Sequence, residues 1–478
     1  MISEDIIINK INIKELFNNT SDLVLYEFKT VSEISILIGY IDGMIDTDIL
    51  NSDLIKPLKE SKKIGQSIIS EVYISKYKEI KDLKQAIRPI STGGVIVFID
   101  GIDSSYTFNI GQWSKRSIDI AQNETSIRGP QEAFIEDIGV NKTLIRRKVK
   151  SNNLVFEDYT LGNVTNTDIS LVYIKTIVKM EVLEELKSRL QRIKTDKIID
   201  SGNIEQYIDD DISRIFASLS YTERPDILVG KMSEGHIGVL CDGSPNVLTL
   251  PKLFIENFHT SEDQYIRPQY ATFLRIIRLI AFVISFTFPS VYLSLILFHQ
   301  EMIPTDLLIS IATQREGVPL SSPFEVIMMI LFFELLKESA IRLPKSIGQA
   351  VTLVGGLVIG QAAIDARIVT ATLVIAVAVS GMAEFVVPKL REMITIYRIL
   401  LVLIASVSGL YGVSLGLVMI GVQLTSMKSF GIPYMWPIAP FDRQGMKDNI
   451  LKFPMPSLNK RPNVLTPKKS RKRDEDIE

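Results

Sequence analysis

The chain has 478 residues with 53 basic against 55 acidic side chains, room for two or three domains at almost no net charge. That balance excludes a global electrostatic field for nucleic acid, so no nucleic-acid partner is expected. A single cysteine, Cys241, excludes an intrachain disulfide framework, and His236, His259 and His299 lie without metal-ligand spacing, so no metal or other cofactor is expected.

In chain order, the first residues mix charges with short apolar runs and show no signal-peptide core, so the N-terminal region is expected to stay on the side where it is made. Up to about residue 260 the pattern is α/β. Short runs rich in Ile, Val or aromatics predict strands at Ile34–Ile41, Gly94–Ile99, Leu154–Tyr159, Ile169–Ile174, Ile237–Cys241 and Val247–Leu250. Helices are predicted at Pro130–Val149, which opens on proline and closes on Arg146, Arg147 and Lys148, and at Met180–Ile193 and Asn203–Ser218, which carry the 3.6-residue apolar period. Connections near residue 88 divide this soluble part into subdomains at 1–88 and 89–260.

Three predicted strands run into Asp-Gly: Asp42-Gly43, Asp100-Gly101 and Asp242-Gly243. Asp-Gly is the preferred tight turn after a buried strand, and this reading outweighs a set of metal ligands. The run VIVFID resembles a Walker-B strand, but no phosphate-binding Gly-rich loop accompanies it. A catalytic pairing of His236 with Glu223 or Asp242 has no support from spacing, and no enzymatic activity is expected.

Residues 261–278 read as a membrane-proximal helix with Arg267, Arg275 and Arg278, and 279–424 as a membrane domain. Leu279–Phe298 is uncharged over about 20 residues, enough to cross a bilayer core of about 30 Å, and the arginines place its start on the cytoplasmic side. Further spans are expected at about 347–364, 368–387 and 399–424. The stretch 324–341 is interrupted by Glu325, Glu334, Lys337 and Glu338; it reads as re-entrant, as a span whose charged face lines a wet path, or as a surface helix. The latter three charges share one helical face, and all four residues are candidates for a pore or gate. Small residues recur at three- and four-residue steps, among them Gly356, Gly360, Gly409, Gly412 and Gly416, which suit close helix packing within one chain or between copies. Four spans leave the tail on the cytoplasmic side and five send it out; the basic run Lys468–Arg473 favours four. Residues 425–478 read as a cytoplasmic tail. Its seven prolines from Pro433 to Pro467 predict an extended segment with little core, and Tyr434 and Trp436 read as an aromatic belt. The fold class is therefore an α/β soluble N-terminal region of two subdomains, a polytopic α-helical membrane domain and a Pro-rich basic C-terminal tail.

Several runs resemble a known family. They are Arg128-Gly129-Pro130 with Glu132, Phe134, Glu136 and Asp137; Glu223-Arg224-Pro225-Asp226; Asp242-Gly243-Ser244-Pro245; HQEMIP from His299; ELLKESAIRLP from Glu334; GGLVIGQAA from Gly355; and FGIPYMWPIAP from Phe430. Together they resemble the A subunit of a GerA-family spore germinant receptor over at least residues 90–460. The resemblance implies an integral protein of the spore inner membrane with its N-terminal region on the core side. It further implies a permease-like B subunit and a lipoprotein C subunit as partners, and a small nutrient as the trigger of germination. It allows two roles: oligomerisation into a gated ion pathway, or a non-conducting scaffold that couples the B subunit to downstream machinery.

Overall fold

The computed structural model describes residues 2–111, 121, 124, 128–342, 356, 358, 360–443, 445–458 and 461–467. The expected span at 347–364 lies mostly outside them, as does the basic run from Lys468. The N-terminal body contains two five-stranded antiparallel sheets. The first comprises β1 (Leu23–Lys29), β2 (Ser35–Ile41), β3 (Tyr77–Ile80), β4 (Gly94–Ile99) and β5 (Ser105–Asn109), in the order β1-β2-β4-β5-β3. Its two faces are both covered. Ile36, Ile38, Val95 and Val97 meet Leu50, Leu54 and Leu58 on one side, while Leu37, Ile96 and Phe98 meet Ile13 of α1 (Ile6–Leu16) and Phe17 just past its end on the other. Double coverage is why Gly94–Ile99 reads as an unbroken apolar run rather than an alternation. The division expected near residue 88 falls inside this sheet, between β3 and β4.

The second sheet holds β6 (Leu154–Leu161), β7 (Thr167–Ile174), β8 (Ser220–Thr222), β9 (Ile237–Cys241) and β10 (Val247–Leu250), ordered β6-β7-β9-β10-β8. Helices α2 (Ile138–Lys148), α3 (Met180–Arg192), α4 (Ser201–Ile208) and α5 (Pro225–Met232) pack on it. All three Asp-Gly pairs are turns: Gly43, Gly101 and Gly243 have φ of 72°, 79° and 81°, and the second and third pairs close hairpins. Two helix predictions are corrected. The first starts at Ile138 instead of Pro130, because the Asp137 carboxylate caps it by accepting from the Gly139 and Val140 amides at 2.8 and 3.0 Å. The third stops at Ile208, where Asp209, Asp210 and Asp211 meet a helix C-terminus that disfavours acids; Asp209 instead accepts from the Ser218 hydroxyl at 2.6 Å.

The C-terminal half is helical: α6 (Pro268–Phe298), α7 (Thr305–Arg315), α8 (Ser322–Arg342), α9 (Ala371–Phe385) and α10 (Arg391–Ser426). Two helical stretches among the described residues are long and apolar enough to cross a membrane, Pro268–Phe298 and Pro388–Ser426. The second is not one straight span. Gly409 has φ 59° and ψ −148°, a conformation natural only to glycine, and the chain reverses there. A Cβ on Gly412 would lie 3.2 Å from the Ile404 carbonyl and one on Gly416 would lie 2.6 Å from Leu401, so the limbs 391–408 and 410–426 form a hairpin. The Tyr397 hydroxyl donates to Gln423 Oε1 at 2.6 Å across it. The interrupted stretch 324–341, by contrast, belongs to one continuous 21-residue helix, α8. The reversal therefore belongs to 399–424, read from hydropathy as the longest single span.

The tail is not an extended appendage. After β11 (Lys428–Ser429) and β12 (Ile432–Pro433), Tyr434 and Trp436 are fully buried in the core that α3, α4 and the second sheet share with α6 and α10. They line no belt. Aromatic side chains between the prolines supply the apolar area that the proline count conceals.

One buried ion pair ties the two sheets together. Arg146 of α2 grips Asp22, before β1, through Nε to Oδ2 at 2.7 Å and Nη2 to Oδ1 at 2.9 Å. Replacing Asp22 with alanine strands a buried guanidinium and is expected to cost about 3–5 kcal/mol. The check is a fall in the denaturation midpoint with accelerated hydrogen exchange in β1 and β6.

Candidate functional site

Pro289 is the starting point. Inside α6 it has no amide hydrogen, so the carbonyl four residues earlier, on Ser285, loses its helical donor. Two groups from other helices take that place. Arg398 Nε of α10 donates to the Ser285 oxygen at 2.8 Å and the Ser380 hydroxyl of α9 donates at 2.7 Å. The same Arg398, wholly buried, reaches Glu384 Oε2 through Nη2 at 2.6 Å and Glu334 Oε1 through Nη1 at 3.3 Å. Lys337 Nζ joins both acids at 2.7 Å each, and the Thr395 hydroxyl donates to Glu334 at 3.2 Å. Arg391 stands 3.6 Å from Glu384 at the rim. Four helices thus converge on a network of two carboxylates and two buried cations.

Only part of the predicted face takes part. Glu334 and Lys337 are in the network, whereas Glu338 points to the exterior and pairs with Arg342 at 2.5 Å. Glu325 is buried at the opposite end of α8, 3.7 Å from Arg315. Glu384 and Arg398 complete the network; in sequence the first reads as a lone charge near the end of the span 368–387 and the second as part of the connection that follows. Pairing between distant helices leaves no periodic signal. Among the glycines, Gly409, Gly412 and Gly416 pack within the hairpin and against Phe298. A Cβ on Gly360 would meet only Val374, at 3.9 Å, and one on Gly356 would meet nothing within 4 Å.

The motif residues of the body form a clasp. Arg224, wholly buried, grips Asp226 through Nε and Nη2 at 3.0 and 2.9 Å and donates to the carbonyls of Pro130 and Glu124 at 2.7 and 3.1 Å. Pro225 opens α5, and Glu223 Oε1 accepts from the Glu124 amide at 2.6 Å. Asp226 also accepts from the Tyr265 hydroxyl at 2.9 Å, and Tyr265 packs where a side chain on Gly129 (φ 129°) would stand. Asp242 Oδ1 accepts from the Ile138 amide at 3.2 Å, and the Gly243 amide donates to the Glu136 carbonyl. Arg128 is exposed beside this clasp. Together these contacts hold the segment around 128–138 against α5 and the approach to α6.

His236 pairs with neither Glu223 nor Asp242. Its Nε2 meets Glu256 Oε1 at 2.9 Å, and its Nδ1 meets the Lys231 carbonyl. Burial alone would raise the Glu256 carboxyl, but Lys231 and His236 hold it well below the ordinary range. Nearby, burial and the neighbouring Lys231 push Lys252 down to about 8. Lys389, between α9 and α10, stands 3.7 Å from Glu124 and so links the helices to the body. Burial lifts the Cys241 thiol to about 12, which keeps it protonated and unreactive.

Comparison with known proteins decides the family. The sequence profile of the Bacillus/Clostridium GerA spore germination protein matches residues 11–464. The chain belongs to the GerA family. Spore germination protein KA of Bacillus subtilis (strain 168) is 38% identical over 476 residues, covering 98% of this chain and 88% of the relative. An uncharacterized membrane protein, YfkQ, from the same organism is 33% identical, covering 97% of this chain and 92% of the relative. A solved structure, the N-terminal domain of the A subunit of the Bacillus megaterium spore germinant receptor GerK3, is 30% identical. It covers 53% of this chain and 97% of that one, with a TM-score of 0.42.

Two predictions follow from this geometry. Replacing Glu384 with alanine leaves Arg398 and Lys337 with too little negative charge and is expected to cost about 3–5 kcal/mol. Replacing the whole quartet by apolar residues of similar volume restores most of that loss, and thermal unfolding of the detergent-solubilised chain measures both. The second concerns His259, whose imidazole is pushed down to about 3 by burial, reinforced by Arg275. The folded protein keeps it neutral, so nothing is lost above its ordinary value of 6.5. As pH falls below 6.5 the unfolded chain takes up a proton that the folded one refuses. Stability then falls by up to about 1.4 kcal/mol per pH unit. His259→Gln is expected to remove that slope between pH 6.5 and 5, read from unfolding midpoints against pH.

Proposed function

We propose that this chain is the A subunit of a nutrient germinant receptor in the spore inner membrane. It is a non-enzymatic, polytopic protein that converts the binding of a small nutrient into opening of an ion pathway built from several copies of itself. The permease-like B subunit and the lipoprotein C subunit complete the receptor. The observation that carries the reading is the neutral network of Glu334, Lys337, Glu384 and Arg398 among apolar helices. Burying two ion pairs adds little net stability, and charges at membrane depth mark ion paths or moving parts. Glu334 is its half-buried member, the one through which separation of the helices would expose negative charge to a wet path. Lys389 at Glu124 offers the mechanical link from body to helices.

The hairpin supports a core-side orientation for both ends. Reversal at Gly409 brings the tail back to the side of the body, and Arg267, Arg275 and Arg278 at that face favour the core side for both by the charge rule. One observation favours the scaffold role instead: of Glu325, Glu334, Lys337 and Glu338 on α8 only Glu338 is exposed, and every charge of the network is paired within one copy.

The receptor reconstituted in planar bilayers separates the two roles. The pathway reading expects a nutrient-triggered cation conductance that Glu334→Gln changes several-fold while subunit assembly is intact and Glu338→Gln has the smaller effect. A complete receptor that assembles, responds to nutrient and passes no current establishes the scaffold.

A further inference from the structure

α7 (Thr305–Arg315), between α6 and α8, follows Pro304 and ends at Glu316 and Gly317, which leave the helical conformation. At about 100° per residue, Leu307, Leu308, Ile309, Ile311 and Ala312 fall on one side and Asp306, Ser310, Thr313 and Gln314 on the other. A helix patterned in this way has an apolar arc to cover. Its own fold covers little of it. Of these residues only Ile311 is buried, while Leu307 and Ile309 stay 50% and 59% exposed, and Met302, just before the helix, 63%.

The surrounding elements fix its level. α6 leaves the body at Pro268, and its 31 residues carry it about 46 Å, at 1.5 Å each, to Phe298. The reversal of α10 meets that same end, since a Cβ on Gly409 would lie 3.0 Å from the Phe298 ring. Just past the reversal Tyr411 is largely exposed, an aromatic with a polar tip that suits the boundary between acyl chains and headgroups. The last turn of α7 is pinned at this level. Gln314 Oε1 accepts from the Thr372 amide at 3.3 Å, and Arg315 Nη2 stands 3.7 Å from Glu325. Glu325 and Thr372 sit in the first turns of α8 and α9. Arg315 falls within the apolar arc, and its pairing with Glu325 draws that charge inward.

We propose that α7 is an interfacial helix that docks on the lipid surface remote from the body, with Leu307, Ile309 and Ala312 against the acyl chains. The exposed apolar surface continues from Phe298 at the end of α6 to Phe324 at the start of α8, and α7 lies between them in the chain. With Arg315 turned inward, the only other charge on α7 is Asp306, on the polar side. That pattern fits a helix lying in the plane of a leaflet. Because its last turn holds the starts of α8 and α9, the leaflet becomes a fixed point for the two helices that carry Glu334, Lys337 and Glu384. The proposal rests on the reading of α6 and α10 as membrane-crossing and not on conduction.

The test uses the full chain in nanodiscs of phosphatidylcholine and phosphatidylglycerol, with a nitrobenzoxadiazole label on introduced thiols; the buried Cys241 stays unlabelled. The label on Ile309→Cys is expected to lose about half its emission to lipids spin-labelled near the headgroup and to be shielded from iodide. Ser310→Cys, on the polar side, is expected to show the reverse. Val418→Cys, exposed midway along the second limb of α10, monitors the crossing itself through a lipid spin-labelled deep in its chain. Iodide quenching at position 309 with deep quenching retained at 418 overturns the proposal alone. If that iodide access then falls when two copies share one nanodisc, the arc belongs to a second copy. Iodide quenching at both positions overturns the membrane reading as well. Wild-type chain cross-linked by a lipid with a diazirine high in its acyl chain is expected to be labelled within residues 302–309, and this decides if a labelled variant melts below the wild type. Labelling of α6 and α10 without residues 302–309 overturns the proposal.

Discussion

Phe254, Phe282, Tyr434 and Trp436 meet in one core, and the architecture depends on that meeting. The ring of Phe254, just after the second sheet, packs edge-on against Phe282 of α6 at 5.8 Å and tilts against Tyr434 of the tail at 6.0 Å. The sheet, the first helix of the C-terminal half and the tail are thus three walls of a single apolar interior. Body and helices therefore do not behave as beads on a linker. Displacement of one wall is felt by the others, because close-packed interiors transmit strain.

The helices add a second constraint, a polar one. A proline in α6 frees a carbonyl, and that carbonyl anchors Arg398, which in turn organises Glu384, Glu334 and Lys337. An absent hydrogen atom thus sets the register of four helices. The network is matched in charge, so it is tolerable among apolar side chains only while all its members stay together. The helical bundle thereby has a specific arrangement that plain apolar packing would leave loosely defined.

How much of this was legible depended on how local the cause was. Strands covered on both faces, such as Gly94–Ile99, announced themselves by unbroken apolar runs, and the Asp-Gly turns by turn chemistry. The strands Leu23–Lys29, Tyr77–Ile80, Ser105–Asn109 and Ser220–Thr222 did not, because they are short or mix polar with apolar side chains; three of them lie at sheet edges, where such mixtures suffice. The reversal at Gly409 was hidden because glycine in an apolar run leaves hydropathy unchanged. The charged interruption of α8 was visible, but its meaning lay in Glu384 and Arg398, which only tertiary register brings to it. Tyr434 and Trp436 were assigned to a membrane surface by their place after an apolar run, whereas the reversal delivers them to the core of the body.

The tail's position also orders events in time. The Ser429 hydroxyl donates to the Ser218 carbonyl 211 positions earlier and accepts from the Lys252 amide. Trp436 fills a core whose other walls are synthesised long before it. During synthesis the body emerges first, yet its interior stays open toward the helices until the hairpin has returned the chain. A product that stops within the helices leaves the core of the second sheet unfinished, while the cores of the first sheet need nothing beyond residue 110. The second sheet, made early, is therefore sealed only by residues beyond the last long helix.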